Sequence, residues 1–307
     1  MPQLFPPEII ENSVENDYAK NTNRKKTIRL LLYFILVLFL SCTIVCFFLF
    51  KKTSVAECNT KIEPDSFITF GSRNIWDTGA EQSLFFEEFI HPYSKTIVGI
   101  MPVIDYAFNF TMAKLYFSKS IQLSDNVEIR NVFYNVIDTA TTLQNFNGII
   151  GMNVINKANW LIDFSNNTIQ SLSKHNSYTP KEKYKLCLSY KNSKRPKVNI
   201  IIQGVEIKDV VMDSGFKEGE LILFKEDIEK INQISIPVDT SKFYSQGLRG
   251  NKIPEPLYIY DCVTINSVPI DSLKIIQSEH RRLIGLNFFK KFERIYLDTK
   301  TKRFYFY

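Results

Sequence analysis

The chain has 307 residues, 45% of them hydrophobic and 23% charged, and carries a formal net charge of +6. That mild charge is interspersed along the chain, which excludes a nucleic-acid-binding stripe. Five cysteines and three scattered histidines (His91, His175 and His280) show no metal-ligand spacing and no complete disulfide framework.

Residues 1–29 are polar, contain prolines and lack apolar periodicity, so they are expected to form a disordered cytoplasmic tail. Residues 30–50 contain no charge. At about 1.5 Å per residue such a run crosses a hydrocarbon core of about 30 Å as one helix. A cleaved signal peptide is the rival, but the run is longer than its apolar region, and no small-residue cleavage site follows cleanly. Lys20, Arg24, Lys25, Lys26 and Arg29 precede the run, while Lys51 and Lys52 follow it. The larger cationic cluster predicts a cytoplasmic N-terminus and places the rest outside the cytoplasm, periplasmic or extracellular. Cys42 and Cys46 fall in the run. Cys58, Cys187 and Cys262 remain, and one pair of them suits an oxidising compartment.

About 250 residues follow, enough for one bilobal unit or two small domains. They read as mostly β, with strands expected near 114–117, 132–137, 160–164, 198–202, 257–265, 295–297 and 304–307. Short helices are expected at 82–89, 153–157, 225–231 and 287–292. A polar, Lys-rich segment at 173–193 begins as a linker and then leads into the next strand. These features divide the region into lobes at 60–172 and 183–307.

The most informative residues form a repeat. Asp77-Thr78-Gly79 is followed by Ile149-Ile150-Gly151-Met152-Asn153, and Asp213-Ser214-Gly215 by Leu283-Ile284-Gly285-Leu286-Asn287. From Asp77 to Gly151 is 151 − 77 = 74 residues, and from Asp213 to Gly285 is 285 − 213 = 72. The period is 213 − 77 = 136 by the aspartates and 285 − 151 = 134 by the glycines. Each homologous lobe therefore supplies one carboxylate. Two carboxylates held a hydrogen bond apart share one proton, so the pair contains a base and an acid at the same pH. The base activates a water and the acid protonates a carbonyl oxygen, with no metal or cofactor required. Glycine at the third position permits close backbone approach, and the hydroxyls of Thr78 and Ser214 can hydrogen-bond between the loops.

On these residues the chain resembles the retropepsin-like aspartic proteases, duplicated within one chain over roughly residues 62–307. The resemblance implies a bilobal acid-protease fold with Asp77 and Asp213 as catalytic aspartates and Thr78 and Ser214 as bracing hydroxyls. Gly79 and Gly215 complete the catalytic loops, and Gly151 and Gly285 support them. Ala80 fits the family pattern, whereas Phe216 stands where members carry Ala, Ser or Thr. Before Asp77, Ser72-Arg73-Asn74 makes a short, polar lead-in. A flap over the substrate is also implied. The expected flap is 243–251, with Tyr244 as lid and Gly247 and Gly250 as hinges. Its counterpart is 95–102, hinged at Gly99. The implied activity is peptide-bond hydrolysis on a polypeptide substrate by a monomer anchored through one helix. The alternative is a non-catalytic module of the same fold that binds peptides or a cell-envelope partner.

Overall fold

The computed structural model describes residues 30–37, 52–62, 67–71, 73–90, 96–104, 110–137, 143–174, 183–246 and 252–307. Two compact units divide the chain, residues 1–52 and residues 53–307. In the first, residues 30–37 form an exposed helix, α1. No helix among the described residues is long and apolar enough to cross a membrane. Most of the expected span, 38–50, lies outside them.

The second unit is mostly β. In its first half the strands are β1 (Ser54–Val55), β2 (Cys58–Lys61), β3 (Asn74–Trp76), β4 (Leu84–Phe86), β5 (Thr96–Ile104), β6 (Phe110–Ser124), β7 (Val127–Ile137), β8 (Gly148–Ile150), β9 (Asn159–Asp163) and β10 (Thr168–Leu172). Helical turns α2 (Glu87–Ile90) and α3 (Met152–Ile155) follow β4 and β8. The second half runs β11 (Leu186–Lys191), β12 (Lys197–Ile202), β13 (Val205–Asp213), β14 (Leu221–Leu223), α4 (Lys225–Asn232), β15 (Asp239–Gln246), β16 (Lys252–Ile265), β17 (Val268–Gln277), β18 (Leu283–Gly285), α5 (Leu286–Phe289), β19 (Arg294–Asp298) and β20 (Arg303–Phe306).

The same strand order recurs in both halves. The first is β3-β8-β4-β7-β6-β5 and the second β13-β18-β14-β17-β16-β15. The senses match as well: β3–β8 and β4–β7 are parallel, as are β13–β18 and β14–β17, and the remaining pairs are antiparallel. A shared sheet joins the halves in the order β11-β20-β19-β9-β10-β2. Its centre is the antiparallel pair β9–β19, with Trp160 opposite Leu297 and Ile162 opposite Ile295. Strand order reads the same outwards from that centre, β10 then β2 on one side and β20 then β11 on the other, and β11 continues into β12 of the second half.

Burial follows from the residue pattern. Strands with one covered face alternate, as in β11 (LCLSYK) and β12 (KVNIII), whose apolar positions are buried at every second residue. Strands covered on both faces are continuously apolar, as in β4 (LFF), β14 (LIL) and β18 (LIG), where every residue is buried. This corrects the expected helix at 82–89. Three consecutive large apolar residues place Leu84–Phe86 between β7 and β8 as a strand, and the helical turn begins only at Glu87. In the second half, β14 likewise precedes α4.

The first lobe is less regular where its aspartate is delivered: β3 has three residues and β13 nine. Arg73 turns the chain with φ of 56°, and Phe70 N and Trp76 N donate to Asn74 O and Ile68 O at 2.8 and 2.7 Å. Beneath β3, Trp76 and Phe70 pack edge-on against Trp160, with ring centroids 5.8 and 4.8 Å apart. Cys58, Cys187 and Cys262 are all free thiols, so the pairing expected of them does not form.

Candidate functional site

The strand ends at β3 and β13 bring the two Asp-containing loops face to face. Each loop is held by the other. Thr78 N donates to Ser214 Oγ at 3.0 Å, and Ser214 N donates to Thr78 Oγ1 at 3.1 Å. Each hydroxyl then donates across the pair: Thr78 Oγ1 to Met212 O at 2.7 Å and Ser214 Oγ to Trp76 O at 2.8 Å. Both side chains are fully buried. Buried hydroxyls and amides that satisfy one another in this way lock the relative position of the loops.

The glycines permit the approach. A Cβ added at Gly79 would fall within the carboxylate of Asp213, and one added at Gly215 within that of Asp77. The two carboxylates hydrogen-bond to each other. Asp77 Oδ1 also accepts from Gly79 N at 2.7 Å and Ala80 N at 3.2 Å, while Asp213 Oδ1 accepts from Gly215 N at 3.1 Å.

Gly151 and Gly285 sit directly behind the loops. Asp77 N donates to Ile150 O at 3.0 Å, and Asp213 is in register with Gly285. The next residues tie back to the loops, Met152 N to Ala80 O at 2.8 Å and Leu286 N to Phe216 O at 2.7 Å. A side chain at 151 would strike the Gln82 backbone at 2.7 Å.

Phe216 has a physical explanation. It matches Ala80 in position, three residues after the aspartate, while Gly219 O stands against Gly285 as Gln82 O stands against Gly151. In lobe one Ser83 Oγ accepts from Gly151 N at 3.1 Å and donates to Asn153 Oδ1 at 2.8 Å, beside the small Ala80. In lobe two the Phe216 ring covers that ground: its Cε1 would lie 3.0 Å from a Cβ at Gly219 and its Cδ1 2.8 Å from one at Gly285. The serine hydroxyl that meets the supporting glycine in lobe one thus has no counterpart in lobe two, where Gly285 N donates to Glu220 O at 2.8 Å and the Phe216 ring packs beside Gly219.

The aspartates line the floor of a cleft of about 510 Å³. Both keep partial exposure to the cleft while protein atoms shut out most bulk water. That burial raises both carboxyls above the ordinary aspartate range. Asp77 is raised further by the charge of Asp213 beside it, and the bond between them favours a proton on Asp77. Asp213 is eased back by Arg195, by the hydrogen bonds from Asp77 and Gly215, and by Arg281. The two carboxyls titrate as one unit, and these influences favour the shared proton on Asp77.

Arg195 and Arg281 were not among the residues expected from sequence. Arg195 lies between β11 and β12 and Arg281 just before β18, and only the fold brings them to the cleft. Residues 101–104 of β5 line it, on the hairpin that carries Gly99. Tyr244 on β15 is 56% exposed and is not among the lining residues. Gly247 and Gly250 lie outside the described residues. The expected lobe-one segment 95–102 thus reaches the cleft lining through Met101 and Pro102.

No protein-family model matches the chain, and no curated protein does. Among solved structures, a retropepsin-like aspartic protease from Rickettsia conorii is similar over 39% of this chain and 86% of its own, at 18% sequence identity and a TM-score of 0.28. That likeness is slight, and the functional reading rests on the geometry of the site.

Proposed function

We propose that the chain is a membrane-anchored aspartic endopeptidase, built from two homologous lobes, that hydrolyses peptide bonds with a water activated between Asp77 and Asp213. The observation that carries this is the crossed packing of the two loops, which presses each carboxylate against the other loop's glycine at the floor of a cleft. Asp213 takes a proton from the water as it attacks the peptide carbonyl, and Asp77 gives its proton to the carbonyl oxygen. Thr78 and Ser214 keep the carboxylates in register, Gly151 and Gly285 support their loops, and the β5–β6 hairpin closes over the substrate and excludes water. One chain supplies both aspartates, so a monomer suffices. Residues 30–50 form the single anchor, with the lobes outside the cytoplasm.

Phe216, which would otherwise favour a non-catalytic peptide-binding module, is accommodated by Gly219, and this supports the catalytic reading. The test is incubation of the purified full chain with a diverse peptide library over a range of pH, with mass spectrometry of the products. New termini at internal bonds are expected from the wild type and not from Asp77→Asn. A wild type that leaves every peptide intact would overturn the proposal.

A further inference from the structure

The two walls of the cleft differ in charge at positions that correspond between the lobes. Trp76 N donates to Ile68 O at 2.7 Å, and Met212 N makes the matching bond to Pro196 O at 2.9 Å. The residue before the accepting carbonyl is Phe67 in lobe one and Arg195 in lobe two, and both line the cleft. In the stretches leading to the supporting glycines, at positions that do not match one for one, lobe one contributes Leu143 and Ile149 to the lining and lobe two contributes Arg281. The cationic side chains of the lining therefore come from lobe two, while most of lobe one's are apolar.

The remaining charges do not cancel this difference. Lys217 reaches over the Phe67 ring, with Nζ 4.9 Å from its centroid, so that cation stands towards the opposite wall. Glu218 lies in the field of its neighbour Lys217, so these two opposite charges offset each other. Glu81 belongs to lobe one and is exposed. Asp213 is the anion beside the arginines, and it carries a single charge against two guanidinium groups.

We propose that the lobe-two half of the cleft receives an acidic side chain of the substrate, with Arg195 and Arg281 as its counter-charges, while the lobe-one half receives an apolar one. A guanidinium offers a planar fork of donors suited to a carboxylate. The low-dielectric walls strengthen that contact relative to bulk water. The substrate class is thus a polypeptide with an acidic residue on one side of the scissile bond and an apolar residue on the other. This inference rests on the cleft being a peptide site.

The experiment uses the full chain and matched peptides with Glu, Gln, Lys or Leu at the residues flanking the scissile bond. Cleavage is measured for each, and binding for versions with a reduced amide at that bond. Glu is expected to exceed Gln by at least about tenfold in kcat/KM and in affinity, the scale of one charged hydrogen bond. Added salt should shrink the gap. Arg195→Glu or Arg281→Glu should reverse the preference towards Lys, a reversal that mere loss of folding does not produce. If the charge-reversed chains fail to fold, the wild-type comparison of Glu with Gln still decides. Cleavage with no preference between Glu and Gln overturns the inference and leaves the protease reading standing. A binding preference without cleavage keeps the inference and overturns the protease reading. Neither binding nor cleavage of any peptide overturns both.

Discussion

The two lobes repeat a topology but not a chemistry. In lobe one, the aspartate accepts two backbone hydrogen bonds and its loop is braced by the hydroxyl of Ser83 and the amide of Asn153. In lobe two, the aspartate accepts one backbone bond, has two arginines in its field, and its loop is backed by a phenylalanine ring. What remains common is the part that holds the carboxylates together: both hydroxyls, both glycines and both supporting strands. The contrast separates what a shared-proton pair requires from what each half can vary. It also favours the shared proton on Asp77 over Asp213.

The largest effect should come from the shared part. Gly79→Ala and Gly215→Ala each place a methyl group inside the opposite carboxylate, so either change should abolish activity and lower thermal stability. An active, normally stable alanine variant at either position would mean that the loops do not cross as described.

The varied part is open to a double-mutant cycle. Phe216→Ala should cost about 3 kcal/mol as a large-to-small change in a packed site. Gly219→Ser alone should also destabilise, because its Cβ meets Ile276 Cδ1 at 2.6 Å and the Phe216 ring at 3.0 Å. Combined, the side chain added at 219 no longer meets the Phe216 ring, so the pair should lose less than the sum of the singles, as read from denaturant midpoints. Simple additivity would remove the compensation between these positions.

Thr78→Val should cost about 2–4 kcal/mol, since it removes the acceptor for Ser214 N and the donor to Met212 O while both remain buried. Ser214→Ala makes the corresponding loss and should match it in chemical denaturation. A clear inequality would show that the grip is not shared equally between the lobes.

The smallest effect concerns pH. The folded chain holds Asp77's proton to higher pH than the unfolded chain does. Between the ordinary aspartate pKa and the raised folded value, the native state therefore binds more protons, and stability falls as pH rises through that window. Asp77→Asn removes the group that titrates. Its melting temperature should match the wild type in acid below the ordinary aspartate range and exceed it at neutral pH. Equal curves at both would mean that Asp77 is not the proton holder.

Much of this site was legible in the sequence, because its parts are local. Asp-Thr-Gly and Asp-Ser-Gly are contiguous, and the apolar pairs before Gly151 and Gly285 mark buried strands without further information. The short lead-in to Asp77 was legible too, and it appears as the three-residue β3. What was hidden depends on tertiary neighbours. Leu84–Phe86 reads equally as helix or strand until its flanking strands are known. The fit of Phe216 depends on Gly219 being empty, which a motif ending at residue 216 does not contain. Arg195 and Arg281 lie far from each other in sequence and are brought to the cleft only by the approach of β12, β13 and β18. The flap was sought at the two glycines near Tyr244, which lie outside the described residues, while the cleft lining includes the less distinctive 101–104.

The central claim is that Asp77 and Asp213 act as one unit in peptide hydrolysis. It is tested most directly by measuring kcat/KM on a cleaved peptide for the full-length wild type, Asp77→Asn, Asp213→Asn and the double variant. Groups that share one proton are expected to show the same loss singly and together, on the order of a thousandfold or more, with each protein retaining the wild-type circular dichroism. A single variant that keeps a substantial fraction of wild-type activity, or a double variant far worse than either single, would contradict it.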